Sequence, residues 1–162
     1  MGRVVRERTN AAEGLNNLLS AQKQSSKVGW FESAKYPDGT PVAYVAAIQE
    51  LGSTKNNIPP RSFMRTTISS KSGDWKKLAE SGARAVLAGN ASPADVIMGL
   101  GLAAEGDIRK TIAEMSAPAL KESTIKNRLR KMANGKKVGN LNKPLVETGL
   151  MIATLTSVVI TQ

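Results

Sequence analysis

The residues best equipped for chemistry lie together in one stretch, "NNIPPRSFMRTTI", at 56–68. Arg61 and Arg65 carry planar guanidiniums that fork onto carboxylates, and Phe63 and Met64 beside them can fill an apolar pocket. Pro59 and Pro60 restrict the backbone just ahead, so little conformational entropy is lost when the stretch docks. Arg61 and Arg65 stand four positions apart, which turns both to one side whether the backbone is helical or extended. This is the chemistry of recognition, and Pro60, Arg61, Phe63, Met64 and Arg65 are the candidate contact residues. The competing arrangement lets Phe63 and Met64 begin a helix and plug the chain's own core while the arginines stay solvated. Both hold if Phe63 turns inward and Arg61 outward.

Bond-making chemistry has a thin inventory. No His and no Cys are present, which removes the usual acid–base group near neutral pH, thiolate nucleophiles, disulfides and the common structural zinc sites. The 13 Asp and Glu are scattered through the chain without metal-binding spacing. No catalytic residue, metal ligand or cofactor is expected, and the chain is not expected to be an enzyme. "MGLGLAAEG" has a GxG spacing, but it follows a helix N-cap and a proline rather than a strand, so it implies no dinucleotide site. Positive charge is the abundant resource: 23 Lys and Arg against 13 acids give +10 over 162 residues, making polyanions and acidic protein surfaces the natural neighbours. No apolar run approaches the roughly 20 residues of a membrane helix, and "MGRVVRERTN" lacks the apolar stretch of a signal peptide. The expectation is a soluble, unexported protein with no membrane partner.

Elements must position these groups. "NAAEGLNNLLSAQKQS" places Ala11, Leu15, Leu18, Leu19 and Gln22 at helical spacing behind Asn10 as N-cap, with Gly14 weakening the helix by about 1 kcal/mol. Val28, Trp30 and Phe31 suit a strand, "YPDGTP" a turn, and Val42, Tyr44 and Val45 a second strand, which predicts a β-hairpin running into a short helix that ends at Gly52. From Phe63 the pattern is helical, with Ile68, Trp75, Leu78, Ala79, Ala85, Val86 and Leu87 on one broad face. Ser92 as N-cap, Pro93 at the first helical position and Asp95 at the third start another helix. It buries Val96, Leu100, Ala103, Ala104, Ile108 and Ile112, while Gly99, Gly101 and Gly106 either admit a close neighbour or only weaken it. Residues 117–147 are basic and thin in apolar side chains, and read as an extended arm over about 121–143 carrying Lys121, Lys126, Arg128, Arg130, Lys131, Lys136 and Lys137. "TSVVIT" is a terminal strand. The expected fold is α+β: a single domain over 1–162, with a small antiparallel sheet packed by two to three helices and an extended, mobile basic arm.

The order of "AAIQELGSTKNNIPPRSFMR", a helix, "PALKESTIKNRLRK" and "KPLVETGLMIATLTSVV" resembles the tail-completion or neck proteins of tailed bacteriophages, including relatives of the minor tail protein Z group. The likeness spans about residues 43–160 and rests on three motifs in one order. It implies a structural protein of the virion, a head–tail connector that forms an oligomeric ring, expected to be hexameric, at the head-proximal end of the tail and is assembled in the host cytoplasm. The implied partners are other copies of the chain, the tail tube, and tail terminator or neck proteins, with passing contact to genomic DNA. The long basic segment between "STIKNR" and "KPLVETG" departs from the family pattern. Its Lys126, Arg128 and Arg130 join the candidate interface, meeting an acidic partner in preference to DNA, because an arm that gripped phosphates would oppose ejection. It also has no aromatic side chain for base stacking. The alternative function is a basic nucleic-acid-binding module.

Overall fold

The computed structural model describes residues 12–20, 23–136 and 138–161; Asn10, Ala11, Gln22 and Lys137, named above, lie outside them. The described residues form a mixed α+β fold with six helices and a two-stranded antiparallel sheet. In chain order these are α1 (12–20), β1 (Gln24–Gly29), α2 (Val42–Leu51), α3 (Phe63–Leu87), α4 (Pro93–Glu114), α5 (Glu122–Ala133), α6 (Leu150–Ala153) and β2 (Thr156–Thr161).

The chain divides into two compact units. The first comprises Met1–Val28, Ser70–Glu105 and Ser157–Gln162. Its sheet pairs β1 with the terminal strand β2, so the predicted hairpin partner of β1 is not the one it takes. Close approach organises this unit. A Cβ on Gly14 would meet the backbone of Leu87, and one on Gly82 would strike Val96, so α1 seats directly on the end of α3, and α3 on the start of α4. A Cβ on Gly101 would strike Ser26 of β1 and lie 3.2 Å from Ser157 of β2, so Gly101 is where α4 meets the sheet. The Ser92 hydroxyl accepts the Asp95 N–H at 3.2 Å, capping α4 as its sequence predicts.

The second unit comprises Gly29–Ser69 and Gly106–Thr156. Val42, Ala46, Phe63, Ile108, Ile112, Met151 and Leu155 are its buried apolar side chains. Trp30 packs edge-on to Phe63 with ring centroids 5.8 Å apart and donates its indole N–H to the Met151 carbonyl at 2.8 Å. The Thr67 hydroxyl lies 2.7 Å from both the Thr111 hydroxyl, across α3 and α4, and the Phe63 carbonyl, either of which can accept its proton, while Thr111 donates to the Asp107 carbonyl at 3.0 Å.

Two helices stand where strand or arm is predicted. The "YPDGTP" turn forms, with Tyr36 N–H to Thr40 O at 2.8 Å and a bridge between Lys35 and Pro41, but no second strand follows it. Val42, Ala46 and Glu50 recur every four residues and are all buried, so the helical period overrides the β-propensity of Val42, Tyr44 and Val45. Gly52 then ends α2 at φ 77°, and its missing Cβ lets Pro60 N approach, folding the 53–60 loop back with Ser53 and Ile58 paired. The arm predicted over 121–143 opens instead as α5, whose buried residue is Arg128. Apolar counting misses this helix because a cation occupies the position that packs. On α3, Ile68, Leu78 and Leu87 of the predicted core face are exposed, and Phe63, Thr67 and Val86 are the buried positions.

Candidate functional site

The stretch 61–65 is built onto the end of α2 by one carboxylate. Glu50 Oε2 accepts the Met64 N–H at 2.9 Å, and Oε1 accepts the Arg65 N–H at 3.2 Å and the Arg65 Nε–H at 3.0 Å. A side chain from α2 thus caps the N-terminus of α3, where unpaired N–H groups and the helix dipole favour an anion. Arg65 Nη2 also donates to Ser62 Oγ at 2.7 Å and to the Glu50 carbonyl at 3.1 Å, yet its side chain remains 61% exposed.

Arg61 takes the opposite course. It is 6% exposed and donates to Gln49 Oε1 at 3.1 Å, Pro118 O at 3.1 Å and Ala119 O at 3.4 Å, tying the segment between α4 and α5 to the loop. Every one of these acceptors is neutral. Burial first, and the charge of Arg128 second, push the Arg61 guanidinium below its ordinary pKa.

Arg128, on α5, is 4% exposed. Its Nη1 donates to the carbonyls of Asn140 at 2.7 Å, Leu141 at 3.3 Å and Lys143 at 2.8 Å, so it gathers the irregular segment after α5. Its Nε lies 3.7 Å from Glu147 Oε2 and has no hydrogen-bond partner. Glu147 makes its short contact elsewhere, with Lys131 Nζ at 2.6 Å. Leu145, in the same segment, holds φ at 66°, a backbone conformation a branched residue rarely adopts.

Two clefts flank this cluster. One, of about 310 Å³, is lined by Tyr36, Gln49, Arg128, Lys131 and Glu147 among others. Burial, then Glu147, then Asp38 hold the Tyr36 phenol above its usual pKa. The other, of about 400 Å³, is lined by Arg61, Arg128, Lys121, Ser123, Thr124 and Glu147, with Ile58, Pro59 and Leu120 in its walls.

Of the sequence-predicted interface residues, Pro60, Arg65, Lys126 and Arg130 are exposed, Met64 is half-buried, and Arg61, Phe63 and Arg128 are buried within the second unit. Lys126 pairs with Glu122 at 2.9 Å on the open face of α5. Leu129 and Met132 of the same helix are also exposed, at 45% and 49%. Sequence reasoning missed Glu50, Gln49 and Glu147 as the anchors. For Glu50 the signal was there to use: an acid at the C-terminal end of one helix, with a loop and then a helix start that has no N-cap acid of its own. For Glu147 no local pattern points to α5.

Among the described residues no group of three acids is gathered around a common point, and no helix is long and apolar enough to cross a membrane. No protein-family model matches the chain, and comparisons with curated proteins and with solved structures find no match.

Proposed function

We propose that this chain is a structural virion protein of a tailed phage, forming a ring at the head-proximal end of the tail and joining tail to head. One observation carries most of this. The 53–62 loop and the first turn of α3 are fixed from beneath by Glu50 and Arg61 and show Pro60 and Arg65 to solvent. A segment held so firmly by its own subunit has little backbone entropy left to lose on docking, which suits a permanent assembly contact. The order of motifs resembling tail-completion and neck proteins gives the assembly its place. The exposed Leu129 and Met132 beside Lys126 and Arg130 on α5 supply an amphipathic face for an acidic neighbour.

A basic nucleic-acid-binding module is the second reading, favoured by the charge of +10. The two respond to salt with opposite sign. Self-repulsion of a +10 chain is screened as salt rises, so association through apolar contacts should strengthen, in discrete multiples of 17.2 kDa. Binding of mixed-sequence duplex DNA that uses six or more phosphates should fall about 10³-fold or more between about 50 and 200 mM salt. Sedimentation velocity at micromolar protein, across that range and with and without DNA, separates them. We expect mostly monomer at low salt, with larger discrete species as salt rises. Monomer at every salt, with tight DNA binding that collapses steeply, would favour the nucleic-acid module.

A further inference from the structure

The cleft of about 400 Å³ between the 56–61 loop and the start of α5 has a charge imbalance that the chain does not resolve for itself. Arg61, Arg128 and Lys121 line it, against Glu147 as the facing carboxylate, and Glu147 divides itself: its Oε1 takes Lys131 at 2.6 Å while its Oε2 stays 3.7 Å from Arg128 Nε, too far for a hydrogen bond. Both arginines are more than nine-tenths buried as residues. Arg61 spends its donors on neutral acceptors, and Arg128 Nε is buried with no hydrogen-bond partner. Buried charges of one sign with too few counter-charges are costly, and the cost is removed by an anion that enters between them. The other groups at the mouth favour the same ligand. α5 is 12 residues long and has Lys121 at its N-cap with no side-chain cap, so the Glu122 and Ser123 N–H groups are open to an anion while the Thr124 N–H is taken by the Lys121 carbonyl, and Ser123 and Thr124 add hydroxyls beside them.

We propose that this cleft is a binding site for a carboxylate presented by an acidic partner polypeptide, as an Asp or Glu side chain or a chain terminus. The choice of carboxylate follows from depth. Arg61 and Arg128 lie at 6% and 4% exposure within a concave site whose walls include Ile58 and Leu120. The phosphates of duplex DNA sit on a broad convex cylinder and cannot be brought to such buried groups, whereas a carboxylate on a slender stem can, and a guanidinium fork matches it. The inference rests on the reading of this chain as a partner-binding assembly protein and names the chemistry of one contact.

The test uses the purified full chain at about 150 mM salt, where unspecific attraction to a basic surface is screened. The probe is an acetylated tetraglutamate peptide, followed by calorimetry and by the arginine Nε–H resonances in NMR. Removing Arg128 risks the fold, so the decisive variant is Lys121→Glu with Ser123→Glu. It places acids at the N-cap and in the first turn of a helix, where the dipole favours them, and leaves melting intact while putting negative charge at the mouth of the cleft. We expect one saturable site on the unaltered chain, shifts of the Arg61 and Arg128 Nε–H signals, and an affinity at least roughly tenfold weaker in the variant, the effect of losing one charge-assisted contact. Equal affinity in the variant, no saturable binding, or unmoved arginine signals would each overturn the proposal. So would displacement of the peptide from the unaltered chain, but not from the variant, by a mixed-sequence duplex, which would make the cleft a phosphate site. None of these outcomes depends on where the protein resides in a particle, so a failure here stays separate from a failure of the virion reading.

Discussion

Arg61 and Arg65 stand four apart across the start of α3 and bond to adjacent residues of α2, yet one is spent on holding the subunit together and the other faces solvent. Their substitutions should therefore part company. Arg61→Glu would leave the carbonyls of Pro118 and Ala119 without their donor and bury a carboxylate in its place, at about 3–5 kcal/mol. Arg65→Glu loses an ion pair whose cationic partner is largely exposed and sets two carboxylates near each other, at about 1 kcal/mol. For a chain of this size the second change lowers the melting temperature by roughly 2–4 °C and the first by several times as much, which calorimetry of the two variants checks. Equal shifts would mean that the buried geometry of Arg61 is not the one the protein uses. The sequence made both arginines visible as candidates but could not separate them. What separates them is Gln49 at 12 positions' distance and Pro118 at 57, contacts that no local pattern records.

At the scale of elements, legibility followed how locally each is determined. The start of α4 was plain because Ser92, Pro93 and Asp95 carry the whole cap between them. The end of α2 at Gly52 was equally plain, and β2 followed from its β-branched run. The second strand of the hairpin failed because Val42, Tyr44 and Val45 are good strand formers in a segment whose burial repeats every four residues. Helix α5 failed because its buried position is Arg128, held by backbone carbonyls from 140–143 that only the folded chain brings there. The glycines of α4, ambiguous in sequence, now divide. Gly101 meets Ser26 and Ser157, whereas nothing lies within 4 Å of a Cβ on Gly106. Gly101→Ala should destabilise by about 1–3 kcal/mol through overpacking. Gly106→Ala should stabilise by up to about 1 kcal/mol through helix propensity. Denaturant midpoints of the two variants test the pair; a stabilising Gly101→Ala would show that α4 does not approach the sheet there.

For the whole molecule, the described residues keep a small buried core and leave several large apolar side chains, Leu15, Tyr44, Leu51, Leu102 and Met132 among them, open to solvent. Single exposed apolar residues are ordinary, and on a chain that also carries +10 they are compatible with the proposed assembly role, charge repulsion opposing association between copies. The class of fold was readable from composition and period; the proposed function rests in the sequence on the motif order "IPPRSFMR", "STIKNR", "PLVETG" alone, because a surface that only a partner completes leaves no local pattern. The most direct measurement is immunogold electron microscopy, with antibody to this chain, on particles purified from cells in which the encoding genome replicates. Gold is expected at a single place on each intact particle, the head-proximal end of the tail, with labelled free tails wherever heads are missing. Purified particles that carry no label, or label spread along the tail or over the head, would contradict the proposed function.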